Sequence, residues 1–154
     1  MRPRAIRRLA GCSYVGARLY FLTILTNSRA RFFVDAAVVN SCAAQILRAA
    51  TRTGFEIPAS CYMPDHLHLL VQGTTAEADL RRFAKLAKQL SGYYVKRQHE
   101  IRLWGRGYYD RILREDEDPR RYLRYIRENP VKARLVTDPA DYPFLFLATS
   151  WRDL

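Results

Sequence analysis

From Arg18 to Leu25 the chain reads Arg-Leu-Tyr-Phe-Leu-Thr-Ile-Leu, a stretch rich in aromatic and β-branched residues that predicts a buried first strand. The apolar period then lengthens. Val39, Cys42, Ala43, Ile46 and Ala50 fall at helical spacing, behind Asp35 as a capping residue and ahead of Gly54 as a terminator. Phe55 to Met63 predicts a second strand, with Pro58 near its start or on a sheet edge, and Pro64-Asp65 predicts a tight turn. From His66 alternation returns, placing Leu67, Leu69 and Val71 on one strand face and His66, His68 and Leu70 on the other. Thr74 and Glu77 have the spacing of a capping box before a long helix whose seam is Leu80, Phe83, Ala87, Leu90 and Tyr94. Tyr108 to Leu113 predicts a fourth strand. Asp118-Pro119 opens a short third helix that Pro130 should stop near Asn129, because proline biases its predecessor away from helical geometry. The acidic run Glu115-Asp116-Glu117 reads as support for that helix's positive end and not as a metal cage.

This order, β-α-β-β-α-β and a further helix, predicts an α+β fold: a ferredoxin-like (RRM-like) antiparallel sheet with helices on one face plus a C-terminal helix. No repeat or low-complexity segment divides the chain, so residues 18–154 read as a single domain behind a basic N-terminal arm, residues 1–17.

Composition narrows the partner. The chain has 154 residues, 49% of them hydrophobic, enough for one core. It carries 26 Lys and Arg against 15 Asp and Glu, a formal charge of +11 that favours an acidic partner, nucleic acid first. Arg4, Arg7 and Arg8 can lie along phosphates from the arm, although a basic terminus is equally at home solvated. On the second helix Arg81, Lys85, Lys88 and Lys96 line one side, and Tyr93, Tyr94 and Trp104 supply rings on which unpaired bases stack. The DNA-contacting candidates are therefore Arg4, Arg7, Arg8, Arg81, Lys85, Lys88, Lys96 and Trp104. Three cysteines without CxxC spacing suggest neither a disulfide framework nor a zinc site. The apolar run Leu19 to Leu25 is far shorter than the roughly 20 residues that cross a bilayer. Leu9-Ala10-Gly11-Cys12 lacks the apolar stretch that an export signal needs, so a cytoplasmic protein, associated with the nucleoid, is expected with no membrane partner.

Two constellations carry chemistry. His66 and His68 project in parallel from a strand, where two imidazoles either converge on a divalent ion or form a satisfied polar pair. Tyr125 and Asn129 share a helix face with Tyr122 one turn earlier, a stripe that is either buried packing or a phenol and an amide presented together.

Met63-Pro64-Asp65-His66-Leu67-His68-Leu69-Leu70-Val71 and Tyr125-Ile126-Arg127-Glu128-Asn129-Pro130-Val131-Lys132-Ala133 resemble the signature segments of the single-tyrosine HUH (IS200-like) transposases, above all the REP-associated tyrosine transposases. Leu103 to Asp110 and Asp141-Tyr142-Pro143 extend the likeness from about Arg18 to Tyr142. The resemblance implies a metal-dependent transposase and endonuclease that cleaves and rejoins single-stranded DNA near hairpins through a 5′-phosphotyrosine. Tyr125, on the C-terminal helix, would be the nucleophile. His66, His68 and Asn129 would be ligands to Mg²⁺ or Mn²⁺, with Asn129 standing where other branches place Gln. Arg111 follows Asp110 where the family commonly has histidine. The partners implied are single-stranded DNA hairpins, with the protein a monomer or homodimer. The alternative from a different class is a non-catalytic single-stranded nucleic-acid-binding protein of ferredoxin-like fold.

Overall fold

In the computed structural model, which describes residues 14–114 and 116–154, burial along the first strand (β1, Leu19–Leu25) alternates residue by residue. Tyr20, Leu22 and Ile24 are buried towards one side, leaving Phe21 and Thr23 on the other. β1 pairs with β3 (His66–Gly73), which pairs with β2 (Phe55–Met63); β4 (Tyr109–Ile112) and β5 (Leu145–Leu147) close the two edges. Every pairing is antiparallel, in the order β4-β1-β3-β2-β5. The register sets Thr23 opposite His68 and Leu25 opposite His66.

The first helix (α1, Ala36–Thr53) begins where Asp35 accepts the Ala37 N–H and ends at Gly54, whose φ of 76° is the left-handed conformation glycine adopts freely. The second (α2, Leu80–His99) packs beside it over Tyr20, Leu22, Leu67 and Leu69. The third (α3, Pro119–Lys132) lies on the opposite face, where Tyr122, Leu123 and Ile126 close a second core with Ala59, Cys61, Met63 and Leu70. Cover on both faces explains why β2 and β3 are almost continuously buried in their central stretches.

Several local expectations change. The α2 cap is Asp79, which accepts the Arg81 N–H, while the Thr74 hydroxyl donates to the Gly54 carbonyl and ties down the preceding loop. The buried α2 seam continues through Ser91 and Val95, leaving Tyr94 half-buried. Pro130 does not stop α3, which runs on to Lys132. Its ring is buried, and the Ala133 and Leu135 N–H groups donate to the Asn129 and Pro130 carbonyls to finish the helix end. Pro58 falls within the register shift between Glu56 and Ala59, an irregularity that accommodates a missing N–H on a strand paired on both sides. Strand β5 was not anticipated.

Tyr14, assigned by sequence to the arm, is a core residue, and its carbonyl accepts the Leu80 N–H. Most of the arm, with Arg4, Arg7 and Arg8, lies outside the described residues, as does Glu115. Among the described residues no helix is long and apolar enough to cross a membrane.

Candidate active site

Because Leu67 turns into the first core, His66 and His68 turn together towards the α3 side of the sheet. Their Nε2 atoms are 3.2 Å apart. The outer nitrogens are held: Asp65 Oδ1 is 2.7 Å from His66 Nδ1, and Thr23 Oγ1 is 2.9 Å from His68 Nδ1. Desolvation works to raise the Asp65 pKa, but hydrogen bonds from His66 and Arg29 outweigh it and hold the carboxyl below its ordinary range. An ionised carboxylate only accepts, so His66 Nδ1 carries a proton, and its Nε2 is turned towards His68. His68 is 5% exposed, and burial, followed by the nearby His66, pushes its pKa down to about 3, leaving a neutral ring.

The donor set suits a divalent cation. Two metal–nitrogen bonds of ~2.1 Å meeting at about 100° span about 3.2 Å, the separation of the two Nε2 atoms. The carboxylate and hydroxyl behind the rings are the kind of outer support that orients metal-binding imidazoles. Among the described residues no third His, Cys, Asp or Glu completes a metal-holding group. The remaining ligands would be oxygens from an amide, water or substrate, a mixed set that suits Mn²⁺ and leaves room for Mg²⁺.

Phe21 forms the floor of the site, stacked on His68 with ring centroids 5.4 Å apart and meeting Tyr125 edge-on at 5.7 Å. The Tyr125 ring is 5.4 Å from that of His68 and the residue is 44% exposed. Lys132 Nζ stands 5.8 Å above the same ring. The two tyrosines of the helical stripe thus have different environments. Tyr122 is 7% exposed, and its hydroxyl donates to Glu117 at 3.1 Å. Burial first, and that hydrogen bond second, raise the Tyr122 pKa. It is an anchor, whereas Tyr125 faces the open site. Asn129 follows Tyr125 by one helical turn and is half-buried; among the described residues no hydrogen bond joins its amide to either histidine.

The connection from β4 into α3 is latched by Glu117, which accepts from Arg111 at 2.8 Å as well as from Tyr122. Desolvation would raise the Glu117 pKa, but these hydrogen bonds prevail and hold it below its ordinary 4.5. A carboxylate with a lowered folded pKa stabilises above its unfolded value and loses that contribution as pH falls through the folded one. Glu117→Gln should therefore melt below wild type at neutral pH, with the two curves converging as the pH drops below about 4.5. Melting temperatures across that range check this.

The basic stripe of α2 is not brought to this site, because α2 covers the other face of the sheet. Arg81, Lys85 and Lys96 are exposed, with Arg81 3.7 Å from Asp79. Lys88 is half-buried and donates to the Gly105 and Gly107 carbonyls at 2.8 Å each, which makes it a brace for that loop. Trp104 is not the open stacking platform expected: it is 9% exposed and its indole N–H donates to Ser91. Arg120, Arg124 and Arg127, together with Asp118 and Glu128, line a cleft of about 630 Å³ along α3 whose lining does not include Tyr125. Sequence reasoning missed Asp65, Thr23 and Phe21. Only Asp65 was signalled, by standing immediately before His66; the other two arrive through strand register.

The chain has relatives among known proteins. The family described as Transposase IS200 like matches residues 15–129, and the chain belongs to that family of transposase enzymes. Within it, the chain is 28% identical over 137 residues to a REP-associated tyrosine transposase of Haemophilus influenzae, covering 82% of this chain and 77% of the relative. The solved structure of a REP-associated tyrosine transposase bound to a REP hairpin shares the fold, with a TM-score of 0.74 at 20% identity over 90% of this chain and 82% of that one. A transposase from Deinococcus radiodurans gives a TM-score of 0.54 at 26% identity, covering 79% and 96% respectively.

Proposed function

We propose that this transposase cleaves and rejoins single-stranded DNA beside a hairpin by transesterification, with Tyr125 as nucleophile and a 5′-phosphotyrosine as intermediate. One observation carries the reading: a solvent-open tyrosine lies edge-on to a buried, neutral histidine of a converging pair, all within one chain. The Tyr125 oxygen attacks the scissile phosphorus, the bond from phosphorus to the 3′-oxygen breaks, and the phenolic proton is lost as the departing 3′-oxygen gains one. One phosphodiester replaces another, so the free 3′-hydroxyl can later attack the phosphotyrosine and rejoin a strand.

The protein's part is placement. Phe21 and His68 fix the plane of the Tyr125 ring, while α3, latched through Glu117, fixes its approach. His66 and His68, with the Asn129 amide oxygen, would hold a Mg²⁺ or Mn²⁺ ion, which when bound supplies Lewis-acid polarisation of the phosphate and charge for the departing oxygen. Lys132 and the arginines of the α3 cleft carry positive charge to flanking phosphates. A single strand can bend into such a site; a stacked duplex cannot. In the REP-associated relative the partner is a REP hairpin, and a hairpin of that type is the substrate proposed here, met on the nucleoid by a monomer or homodimer.

The test is a denaturing gel of protein incubated with labelled single-stranded hairpins and Mn²⁺ or Mg²⁺. A metal-dependent covalent protein–DNA adduct is expected. Binding without an adduct in either metal overturns the reading in favour of a non-catalytic DNA-binding protein. Affinity should also fall steeply with salt, with a log–log slope of about −0.7 per phosphate neutralised on a single strand. A flat response measured by fluorescence anisotropy would remove the electrostatic part.

A further inference from the structure

Away from the histidines, α2 and the segment after it enclose a groove of about 510 Å³ lined by Gly92, Tyr93, Lys96, Arg102, Leu103 and Trp104. Its lining is almost wholly apolar, yet cations ring it. Lys96 and Arg102 form no ion pair among the described residues, and Glu100 is the sole acid between residues 81 and 106. Tyr93 is 55% exposed and braced by a 2.9 Å hydrogen bond from Arg97 to its hydroxyl, so it forms a fixed aromatic wall.

Gly92 makes this groove more than a gap. It sits inside a helix of 20 residues, where glycine costs about 1 kcal/mol relative to alanine. Packing does not require it: a Cβ there would meet only Trp104 Cδ1, at an ordinary contact distance of 3.6 Å. Without that methyl, Trp104 Cδ1 is the atom that faces Gly92, and Trp104 lines the groove although the residue as a whole is buried. The position also suits a strand leaving the active site. Trp104 bridges to Thr26, and the Thr26 N–H donates to the Asp65 carbonyl, so the groove segment, the end of β1 and the histidine turn lie in successive rows. At strand spacing those rows cover about 10 Å.

We propose that this groove binds one unpaired nucleotide of the DNA strand, its base resting in the slot that Gly92 leaves open over the Trp104 edge beside Tyr93 and its phosphates meeting Lys96 and Arg102. The assignment rests on the single-stranded DNA reading above and adds a base-binding position a few nucleotides from the scissile phosphate. Charge selects this occupant over a second copy of the chain, which would bring another +11 to a cationic rim.

The test uses a hairpin with mixed-sequence single-stranded extensions and full-length protein carrying Trp151→Phe, so that emission reports Trp104. DNA should quench that emission. Replacing extension nucleotides one at a time by abasic sites should weaken binding about tenfold at one position and little elsewhere. Gly92→Ala should raise the melting temperature by about 2–4 °C while weakening binding about tenfold and flattening the abasic scan. Arg102→Glu, at the rim, should weaken binding without the thermal gain. Wild-type-like binding and an unchanged abasic profile in both variants overturn the groove while leaving the single-strand reading in place. A Gly92→Ala-sensitive dimer with unaltered DNA binding overturns it in favour of self-association. No DNA binding by wild type overturns both.

Discussion

Tyr125→Phe should abolish the covalent DNA adduct, lowering its yield by at least about 10³-fold, the scale on which removal of a nucleophile leaves only residual catalysis. Hairpin affinity and melting temperature should stay close to wild type. The lost atom is the hydroxyl of a residue 44% exposed, while the ring contacts to Phe21 and His68 survive in phenylalanine. The informative control is Tyr122→Phe, three residues earlier. That change deletes a hydrogen bond to Glu117 from a buried position and should cost roughly 1 kcal/mol of stability while the adduct still forms. An adduct that persists in Tyr125→Phe and vanishes in Tyr122→Phe would reverse the assignment.

Loss of the histidine pair should also suppress the chemistry, with only a limited effect on the fold. His66→Ala combined with His68→Gln should reduce adduct formation at least about 100-fold, since even outer-shell changes at metal sites cost 10–100-fold. Calorimetry with Mn²⁺ should show the binding heat disappear. Glutamine is chosen at position 68 because the ring there is buried against Phe21, and alanine would leave a cavity whose cost confuses the outcome. His66 is more accessible, with a side chain 17% exposed, so its truncation disturbs less packing. A fold that melts far below wild type would identify the pair as structural. Metal-dependent cleavage retained at wild-type rate would remove it from the site.

Lys88 and Trp104 show what sequence spacing leaves out about a surface. Both belong to a basic, aromatic stretch that suggests a nucleic-acid face, yet one braces a loop and the other is largely inside. Composition reports that such groups are near one another; it does not report which carbonyl or hydroxyl a side chain meets on folding. The α2 cap was missed for a related reason. Thr74 and Glu77 have the right spacing, but the chain between β3 and α2 turns first, and Asp79 is the residue that reaches the helix start. Pro130 breaks a local rule: it lies inside α3 with its ring buried, and the helix continues to Lys132 without its N–H.

By itself the sequence determined the order and kind of the principal elements, the common direction of His66 and His68, and the placement of Tyr125 and Asn129 one turn apart. Each of these follows from a repeat of two residues on a strand or 3.6 on a helix, a property of the local backbone. The tertiary structure decided which sheet face α3 covers, that Tyr125 and not Tyr122 is open to solvent, and that Thr23 and Phe21 join the histidines from a strand 45 residues away. Those outcomes depend on register between distant segments and on which surface is excluded from water, quantities that no local spacing contains.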